Sequence, residues 1–295
     1  MPSTRVWLIT GASSGFGRIL CNIALKNGDM VVAAARRTHM LDDLVAQYSA
    51  GRVLVVKTDV TQPQDVSEAF ARAKDAFGRI DVVFNNAGYT HLGEVESVQD
   101  TDARALFDTN FWGAVSVTRE AVKFFRESNP PGAGGRLPQM SSMYGIAGIL
   151  CSAFYVASKH ALEGFTKSMV EELDPTWNIK VTLLEPGFFP TELTSLKWVP
   201  PHPAYLTSPL PSAWRAAWDS LVAPGNLVQD TKKAVEAFYR VATIPDPPLH
   251  FVLGKDAIEG TTTELAELGN DIARYKSWSD DIERTSGEGS GRETI

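Results

Sequence analysis

A tyrosine and a lysine lie four residues apart in the stretch SAFYVASKHALEGF, residues 152–165. In a helix, Tyr155 and Lys159 would occupy one face, one turn apart. A tyrosine with its ordinary pKa of about 10 holds its proton too firmly to act as a base near neutral pH. A fixed ammonium group beside the phenol would lower that pKa and fit the pair for proton transfer. The alternative is a surface pair without a chemical role.

A glycine-rich turn, TGASSGFG at residues 10–17, offers a second chemical feature. Glycines at 11, 15 and 17 permit a tight turn and close packing of a helix on a strand. The N-terminus of the helix that follows presents free amide donors and a positive dipole end to a pyrophosphate. The turn therefore predicts a dinucleotide site formed by Gly11, Ser13, Ser14, Phe16 and Gly17. A purely structural turn is the alternative.

The residues after the second apolar run indicate which dinucleotide would bind. NAD sites place an acidic residue there for the ribose 2′-hydroxyl. This chain has Ala35, followed by Arg36 and Arg37. A guanidinium can bind a 2′-phosphate through two charge-assisted hydrogen bonds, so we predict NADP(H), with Arg36 as the principal contact and Arg37 as the secondary one. Solvated loop arginines are the alternative.

The elements that must position these groups alternate along the chain. Apolar runs that lack a two-residue alternation predict buried strands at 5–10, 30–35, 52–57, 80–85, 135–141, 179–185 and 249–253. Helical patterns fall at about 15–28, 38–48, 62–77, 101–127, 152–174 and 229–243. This order predicts a Rossmann-like α/β fold: a doubly wound, parallel, seven-stranded sheet with helices on both faces.

We expect one domain over residues 1–295, with an insertion at about 190–224 and a C-terminal extension at 255–295. The end of the extension, residues 284–295, is polar and glycine-rich, and it is predicted to be disordered. Pro138 lies inside a predicted strand and removes a ladder donor. Either that strand bends at Pro138, or its paired part begins after it.

Composition narrows the class of protein. A net charge of −7 argues against a partner such as nucleic acid or an anionic membrane. Two cysteines give no disulfide framework, and the N-terminus reaches glycines before a signal-peptide core could form. No apolar run approaches the ~20 residues of a membrane helix. The five histidines form no H-x-x-x-H motif, so no metal is expected. A cytoplasmic enzyme is the favoured class.

Six motifs in order resemble the short-chain dehydrogenase/reductase family. They are TGASSGFG, NNAG (85–88), TNFWG (109–113), SSM (141–143), YVASK (155–159) and EPGFFPT (185–191). The resemblance covers about residues 5–191, and LHFVLGKDA (249–257) fits the family's last strand. Phe16 departs from the family, which more often has isoleucine or leucine there.

The resemblance implies a role for each matched position. Its implied catalytic residues are Ser142, thirteen residues before Tyr155, together with Tyr155, Lys159 and Asn110, which would link the lysine to a water relay. The resemblance also implies cofactor contacts. They include the glycine loop, the two arginines, Tyr155 and Lys159. The further implied contacts are Asp59, Val60, Asn86, Ala87, Gly88, Pro186, Gly187, Phe189 and Thr191. Ser142 would donate a hydrogen bond to a substrate carbonyl while the cofactor provides hydride.

The insertion contains an uncharged aromatic stretch. Residues 198–214 include five prolines, Trp198, Tyr205 and Trp214, with no Asp, Glu, Lys or Arg. In the family this segment covers the substrate, which suggests an apolar, ring-containing carbonyl or alcohol. A small satellite core beneath a long loop is the alternative. The pocket is also expected to be lined by Tyr144, Cys151, Phe188 and Phe189.

The leading functional hypothesis is an NADPH-dependent reductase that converts a ketone to a secondary alcohol, reversibly. One alternative is a non-redox isomerase or cyclase on the same scaffold, and another is a ligand-binding protein. A homodimer or homotetramer is also predicted, because members of the family often pair through the helices that correspond here to about 101–127 and 152–174.

Overall fold

The computed structural model describes residues 4–49, 51–191, 198–223 and 226–282. Its seven strands are β1 Val6–Thr10, β2 Met30–Ala35, β3 Val53–Lys57, β4 Val82–Phe84, β5 Gly135–Met140, β6 Ile179–Pro186 and β7 His250–Leu253. Its α-helices are α1 Gly15–Lys26, α2 Asp42–Gln47, α3 Pro63–Phe77, α4 Asp100–Phe107, α5 Ala114–Glu127, α6 Ala153–Glu172, α7 Pro209–Leu221, α8 Thr231–Val241 and α9 Lys255–Tyr275.

All seven strands form one parallel sheet in the order β3-β2-β1-β4-β5-β6-β7. This confirms the predicted doubly wound α/β fold. The strand order reverses direction between β1 and β4, and ligands of such sheets bind at the carboxyl ends of the strands at that point. The fold therefore places the glycine loop after β1 and the NNAG motif after β4 at one edge of the sheet.

Both faces of the sheet are buried, because successive side chains of a strand point to opposite faces. On β1, Trp7 and Ile9 join a core that includes residues of α1 and α8. Leu8, between them, joins the other core, which includes residues of α3 and α5. This two-sided burial explains why the strands appear in the sequence as continuous apolar runs.

Pro138 lies within β5 and does not mark its start. The strand pairs with β6 over its whole length, including Pro138 with Thr182. On the other side, the Asn85 amide donates to the Pro138 carbonyl, and the Met140 amide donates to the Asn85 carbonyl. The backbone nitrogen of Pro138, which has no hydrogen to donate, therefore faces β4. On that side β4 and β5 are paired at only one residue of each strand, with one isolated bridge beyond it. Of the two alternatives for Pro138, the one in which pairing begins after it is therefore wrong.

Three helical segments differ from the prediction. The helix expected at 101–127 is interrupted between α4 and α5 by a π-helical segment, Asp108–Gly113. The insertion contains α7, which begins at Pro209, a residue suited to a first helical turn. The extension contains the 21-residue α9. Residues 284–295, predicted to be disordered, lie outside the described residues. Among the helices in the described ranges, none is long and apolar enough to cross a membrane.

Candidate active site

A cavity of about 410 Å³ opens at the carboxyl ends of the strands and contains most of the predicted site. Its walls include the predicted residues Gly11, Ser13, Ser14, Phe16, Arg36, Arg37, Asp59, Val60, Asn86, Ala87, Gly88, Ser142, Tyr155, Lys159, Pro186, Gly187 and Thr191. Three predicted residues, Gly17, Asn110 and Phe189, do not line it. The linear motifs therefore converge on one surface, although they come from segments spread over 180 residues of sequence, from Gly11 to Thr191.

The glycine loop has a backbone that larger residues would not tolerate. Gly11 has a positive φ of 65°, and a Cβ on it would lie 2.9 Å from the Asn86 side chain. A Cβ on Gly17 would lie 2.5 Å from the Gly11 carbonyl oxygen, so Gly17 brings α1 close to the turn. Asn86 fixes this arrangement by donating from Nδ2 to the Thr10 carbonyl at 2.9 Å. The turn is thus open to a ligand and shaped as a dinucleotide cradle.

The edge of the cavity beyond β2 is positively charged. Ala35 ends β2 and lies in the cavity wall, so no carboxylate occupies the position that NAD sites use. Arg36 and Arg37 follow, both exposed and both lining the cavity. Within the described ranges no carboxylate forms a salt bridge with either guanidinium. Both cations are therefore available to an anionic ligand.

Tyr155 and Lys159 lie one turn apart on α6 and face the cavity together. The Lys159 ammonium is 5.8 Å from the centre of the Tyr155 ring, and it donates to the Met140 carbonyl at 2.7 Å. Ser142 caps the short 3₁₀ turn Met143–Gly145 by accepting from the Tyr144 amide at 3.2 Å. The three side chains line the same cavity. The turn after β5 and the first half of α6 thus position a hydroxyl, a phenol and an ammonium group together.

The protonation of this group is controlled mainly by burial. Burial raises the pKa of Tyr155 above its usual value, and the Ser142 hydroxyl opposes this shift. Burial also lowers the pKa of Lys159 to about 8, against the opposing effect of Glu163. The lowered phenol pKa expected from Lys159 is therefore not found in the protein alone. At neutral pH the phenol is protonated, and the ammonium group keeps most of its charge.

Asn110 lies in the π-helical segment between α4 and α5, a type of irregularity that is frequent at functional sites. Its side chain is buried and holds the segment after NNAG: Nδ2 donates to the Tyr89 carbonyl at 2.8 Å, and Oδ1 accepts from the Tyr89 amide at 3.0 Å. It also donates to the Ser158 hydroxyl at 3.2 Å, beside Lys159. Its observed contacts are thus positional.

The segment after β6 differs from the prediction in one side chain. Phe189 is buried in the core and packs edge-on against Phe16, whereas Phe188 lines the cavity. Asp256 of α9 holds this segment by accepting from the Phe188 amide at 2.7 Å. Gln229 donates to both Asp256 and the Phe188 carbonyl. Sequence motifs gave no signal for Asp256 and Gln229.

We call residues 198–223 the lid segment. Trp218 of α7 is its contribution to the cavity wall, and the three aromatic residues predicted for that role, Trp198, Tyr205 and Trp214, do not line the cavity. Trp218 packs against the Phe188 ring, and the rings of Trp198 and Trp214 pack against Trp218 from behind. The lid segment therefore forms a small aromatic core of its own and also covers the cavity. Cys151, another predicted pocket residue, lies outside the cavity wall, whereas Tyr144 is part of it.

A buried ion pair attaches the lid segment to the chain after β4. Arg215 of α7 binds Glu94 through two hydrogen bonds of 2.7 and 2.6 Å. The guanidinium also donates to the Val199 carbonyl and lies 4.4 Å from the centre of the Trp198 ring. The hydrogen bonds from Arg215, supported by Ser97, lower the pKa of Glu94 to about 2. Neither residue stood out in the sequence.

Two buried carboxyl groups, one on α6 and one on β6, lie near His250. Glu163 of α6 accepts a hydrogen bond from Ser141, and Glu185 of β6 lies 2.6 Å from Nδ1 of His250. Each carboxyl has an oxygen without a hydrogen-bond partner among the described residues. Burial raises the pKa of both to about 7. Potential metal-ligand atoms of Glu163, Glu185 and His250 lie within 4.8 Å of one another. The spacing of the histidines in the sequence did not predict this cluster.

The doubly wound sheet, the glycine cradle and the Ser142–Tyr155–Lys159 group define an oxidoreductase of the nicotinamide-dinucleotide type. The family model for short chain dehydrogenase matches residues 5–198. A Schizosaccharomyces pombe protein, named an uncharacterized oxidoreductase, is 36% identical over 290 residues, which cover 98% of this chain and 95% of that protein. An oxidoreductase of Penicillium decumbens is 35% identical over 272 residues, covering 90% of this chain and 88% of its own.

Among solved structures, a short-chain dehydrogenase from Streptomyces avermitilis superposes with a TM-score of 0.83 at 32% identity, covering 96% of this chain and 100% of that one. The chain belongs to the short-chain dehydrogenase/reductase family. This confirms the resemblance drawn from the six motifs.

Proposed function

We propose that this protein is an NADP(H)-dependent reductase that converts the ketone of an apolar, cyclic or aromatic small molecule into a secondary alcohol. The observation that supports this most directly is the arrangement of one cavity. Arg36 and Arg37 lie at one part of its wall, and Ser142, Tyr155 and Lys159 form another. A cofactor bound along this cavity supplies hydride to the substrate.

The side chains of the chain supply polarisation and a proton. The Ser142 hydroxyl donates a hydrogen bond to the carbonyl oxygen and stabilises the negative charge that develops there. Tyr155 then gives its phenolic proton to that oxygen, a step for which a protonated phenol is required. The raised pKa of Tyr155 keeps the phenol protonated at neutral pH, which is the form that this step requires. Lys159 stabilises the phenolate that forms.

The substrate class follows from the other wall of the cavity. Tyr144, Phe188 and Trp218 form a continuous row, with ring centres 5.7 Å apart for the first pair and 5.8 Å for the second. All three line the cavity. Aromatic side chains offer a broad apolar contact area. We therefore propose that the substrate is an uncharged ring-containing ketone.

We also propose that the protein is located in the cytoplasm, because its two cysteines are free.

The cofactor proposal is tested by Arg36→Asp, with steady-state kinetics for NADPH and NADH on a panel of cyclic and aromatic ketones. Losing a charged hydrogen-bond pair costs about 1.5–3 kcal/mol, so KM for NADPH should rise by roughly 10- to 100-fold while KM for NADH changes little. Lys57→Asp is the control, because Lys57 is exposed and lies outside the cavity wall. An unchanged preference for NADPH in Arg36→Asp would rule out the cofactor assignment. Substrate conversion without loss of NADPH absorbance would instead indicate a non-redox isomerase.

A further inference from the structure

The C-terminal helix α9 extends away from the body of the protein. Its first turns are anchored: Ala257 and Thr261 are buried, and a Cβ on Gly260 would lie 2.7 Å from the end of the Met143 side chain. Every residue from 262 to 282 is exposed. Helices of fewer than about 12–15 residues are marginal in water on their own. The anchored first turns start this 21-residue helix, and its outer part packs against none of the described residues of this chain.

The exposed part of α9 carries an apolar stripe, which we call the α9 seam. It consists of Leu265, Leu268, Ile272 and Tyr275, and Ile258 continues it into the anchored first turns. From Ile258 to Tyr275 the steps between successive apolar positions are seven, three, four and three residues, which is the heptad spacing of a coiled coil. Leu265, Leu268 and Ile272 are 59%, 55% and 62% exposed. Single exposed apolar residues are ordinary, but a continuous stripe of this kind marks an interaction surface.

The charges beside the seam indicate what covers it. A helix that lies on a membrane is rich in lysine and arginine on its polar face, whereas Glu264 and Asp271 flank this seam. In a parallel coiled coil, a residue that directly precedes a seam residue lies near the partner helix. Its neighbour there is the residue whose number is higher by five. Asp271 and Lys276 have this relation. A parallel copy of the chain would thus place an Asp271–Lys276 pair of opposite charges on each side of the seam, while Glu264 would lie opposite the uncharged Gly269.

We propose that α9 pairs with α9 of a second copy of this chain, in parallel, through the α9 seam. This surface is separate from the helices α4 to α6, through which members of the family were expected to pair. It does not depend on the cofactor or the substrate, so it stands or falls independently of the proposed function.

The test compares two doubly substituted full-length chains that have the same added charge. Leu265→Lys/Leu268→Lys places two lysines in the seam, and Thr263→Lys/Asn270→Lys places two on the opposite side of the same helix. All four positions are exposed, so neither variant should disturb the fold of the body. The association state is measured by sedimentation velocity at several protein concentrations.

We expect wild type and the Thr263→Lys/Asn270→Lys control to sediment as oligomers, and the seam variant to sediment with half their mass. A monomeric wild type, or a seam variant that keeps the wild-type mass, would overturn the proposal. The orientation is tested with Tyr275→Cys, at one end of the seam, against Asn270→Cys under mild oxidation. Position 275 meets its own copy only when the helices are parallel, so a disulfide-linked dimer from Tyr275→Cys alone supports parallel pairing, and an oligomer in which this variant forms no such link contradicts it.

Discussion

Replacing Arg215 with alanine should release the lid segment from the body of the protein. Arg215 is 19% exposed and Glu94 only 3% exposed, so the substitution leaves a carboxylate buried without its partner. The shift of the Glu94 pKa from 4.5 to about 2 corresponds to about 3 kcal/mol. Removing one member of a buried ion pair costs a similar amount, about 3–5 kcal/mol. A change of about 3 kcal/mol alters an opening equilibrium by roughly 100-fold.

Hydrogen exchange measured by mass spectrometry reports this opening directly. In Arg215→Ala we expect backbone amides of α7 to exchange up to ~100-fold faster than in wild type, while the amides of β1 keep their rates. KM for the ketone should rise, because Trp218 no longer closes the cavity. The dissociation constant for NADPH should not change, because the arginines and the glycine loop lie outside the lid segment.

Two variants serve as controls. Arg104→Ala removes an exposed pair with Asp100, in which the side chains are 79% and 90% exposed, and it should change nothing measurable. Glu94→Gln/Arg215→Met leaves no unpaired charge and should restore part of the protection.

The low pKa of Glu94 means that the pair stabilises the lid above pH 4.5 and loses this effect as the pH falls towards about 2. If Arg215→Ala exchanged as slowly as Arg104→Ala and kept the wild-type KM, our view of the lid would be refuted.

Two further predictions concern the glycine loop and the buried carboxyl pair. Gly17→Ala should weaken NADPH binding and cost about 1–3 kcal/mol of unfolding free energy, because its Cβ would lie 2.5 Å from a carbonyl oxygen. The control is Gly164→Ala, at an exposed helical position where no atom lies within 4 Å of the added Cβ. Urea denaturation should show that this control is neutral or stabilising. Glu163 and Glu185 keep protons in the folded chain that the unfolded chain releases above pH 4.5, so their contribution to stability falls as the pH rises from 4.5 to about 7. Glu185→Gln should therefore gain stability relative to wild type between pH 5 and pH 8, and an equal difference at both pH values would contradict the raised pKa.

The sequence predicted the features that depend on local pattern. Runs such as RVWLIT and MVVAAA are strands because both faces of the sheet are covered, and the glycine spacing at 11, 15 and 17 reflects steric limits within one turn. Most of the predicted residues line the cavity, and they come from the six motifs and from positions 36, 37, 59 and 60, whereas Trp218 was not predicted. Pro138 was interpreted less well, because a strand can omit a donor on one side while it stays paired on the other.

Other features depend on contacts between distant segments, which a single sequence does not reveal. Phe188 and Phe189 are chemically identical neighbours, and contacts with distant segments, such as that of Phe16 with Phe189, distinguish the one in the core from the one at the cavity. Arg215 and Glu94 are 121 residues apart, and the lid was predicted from the absence of charge in residues 198–214, immediately before Arg215. Helix α9 was missed because its apolar stripe faces solvent, although its seven-residue spacing was visible in the sequence.

We propose that Tyr155 delivers the proton during ketone reduction. It is tested most directly by the turnover of Tyr155→Phe with NADPH and a ketone that wild type reduces, together with the dissociation constant for NADPH. General acid catalysis contributes about 10²- to 10⁴-fold, so kcat should fall by that factor while the ring remains in place and NADPH still binds. Near-normal turnover in Tyr155→Phe would contradict the account.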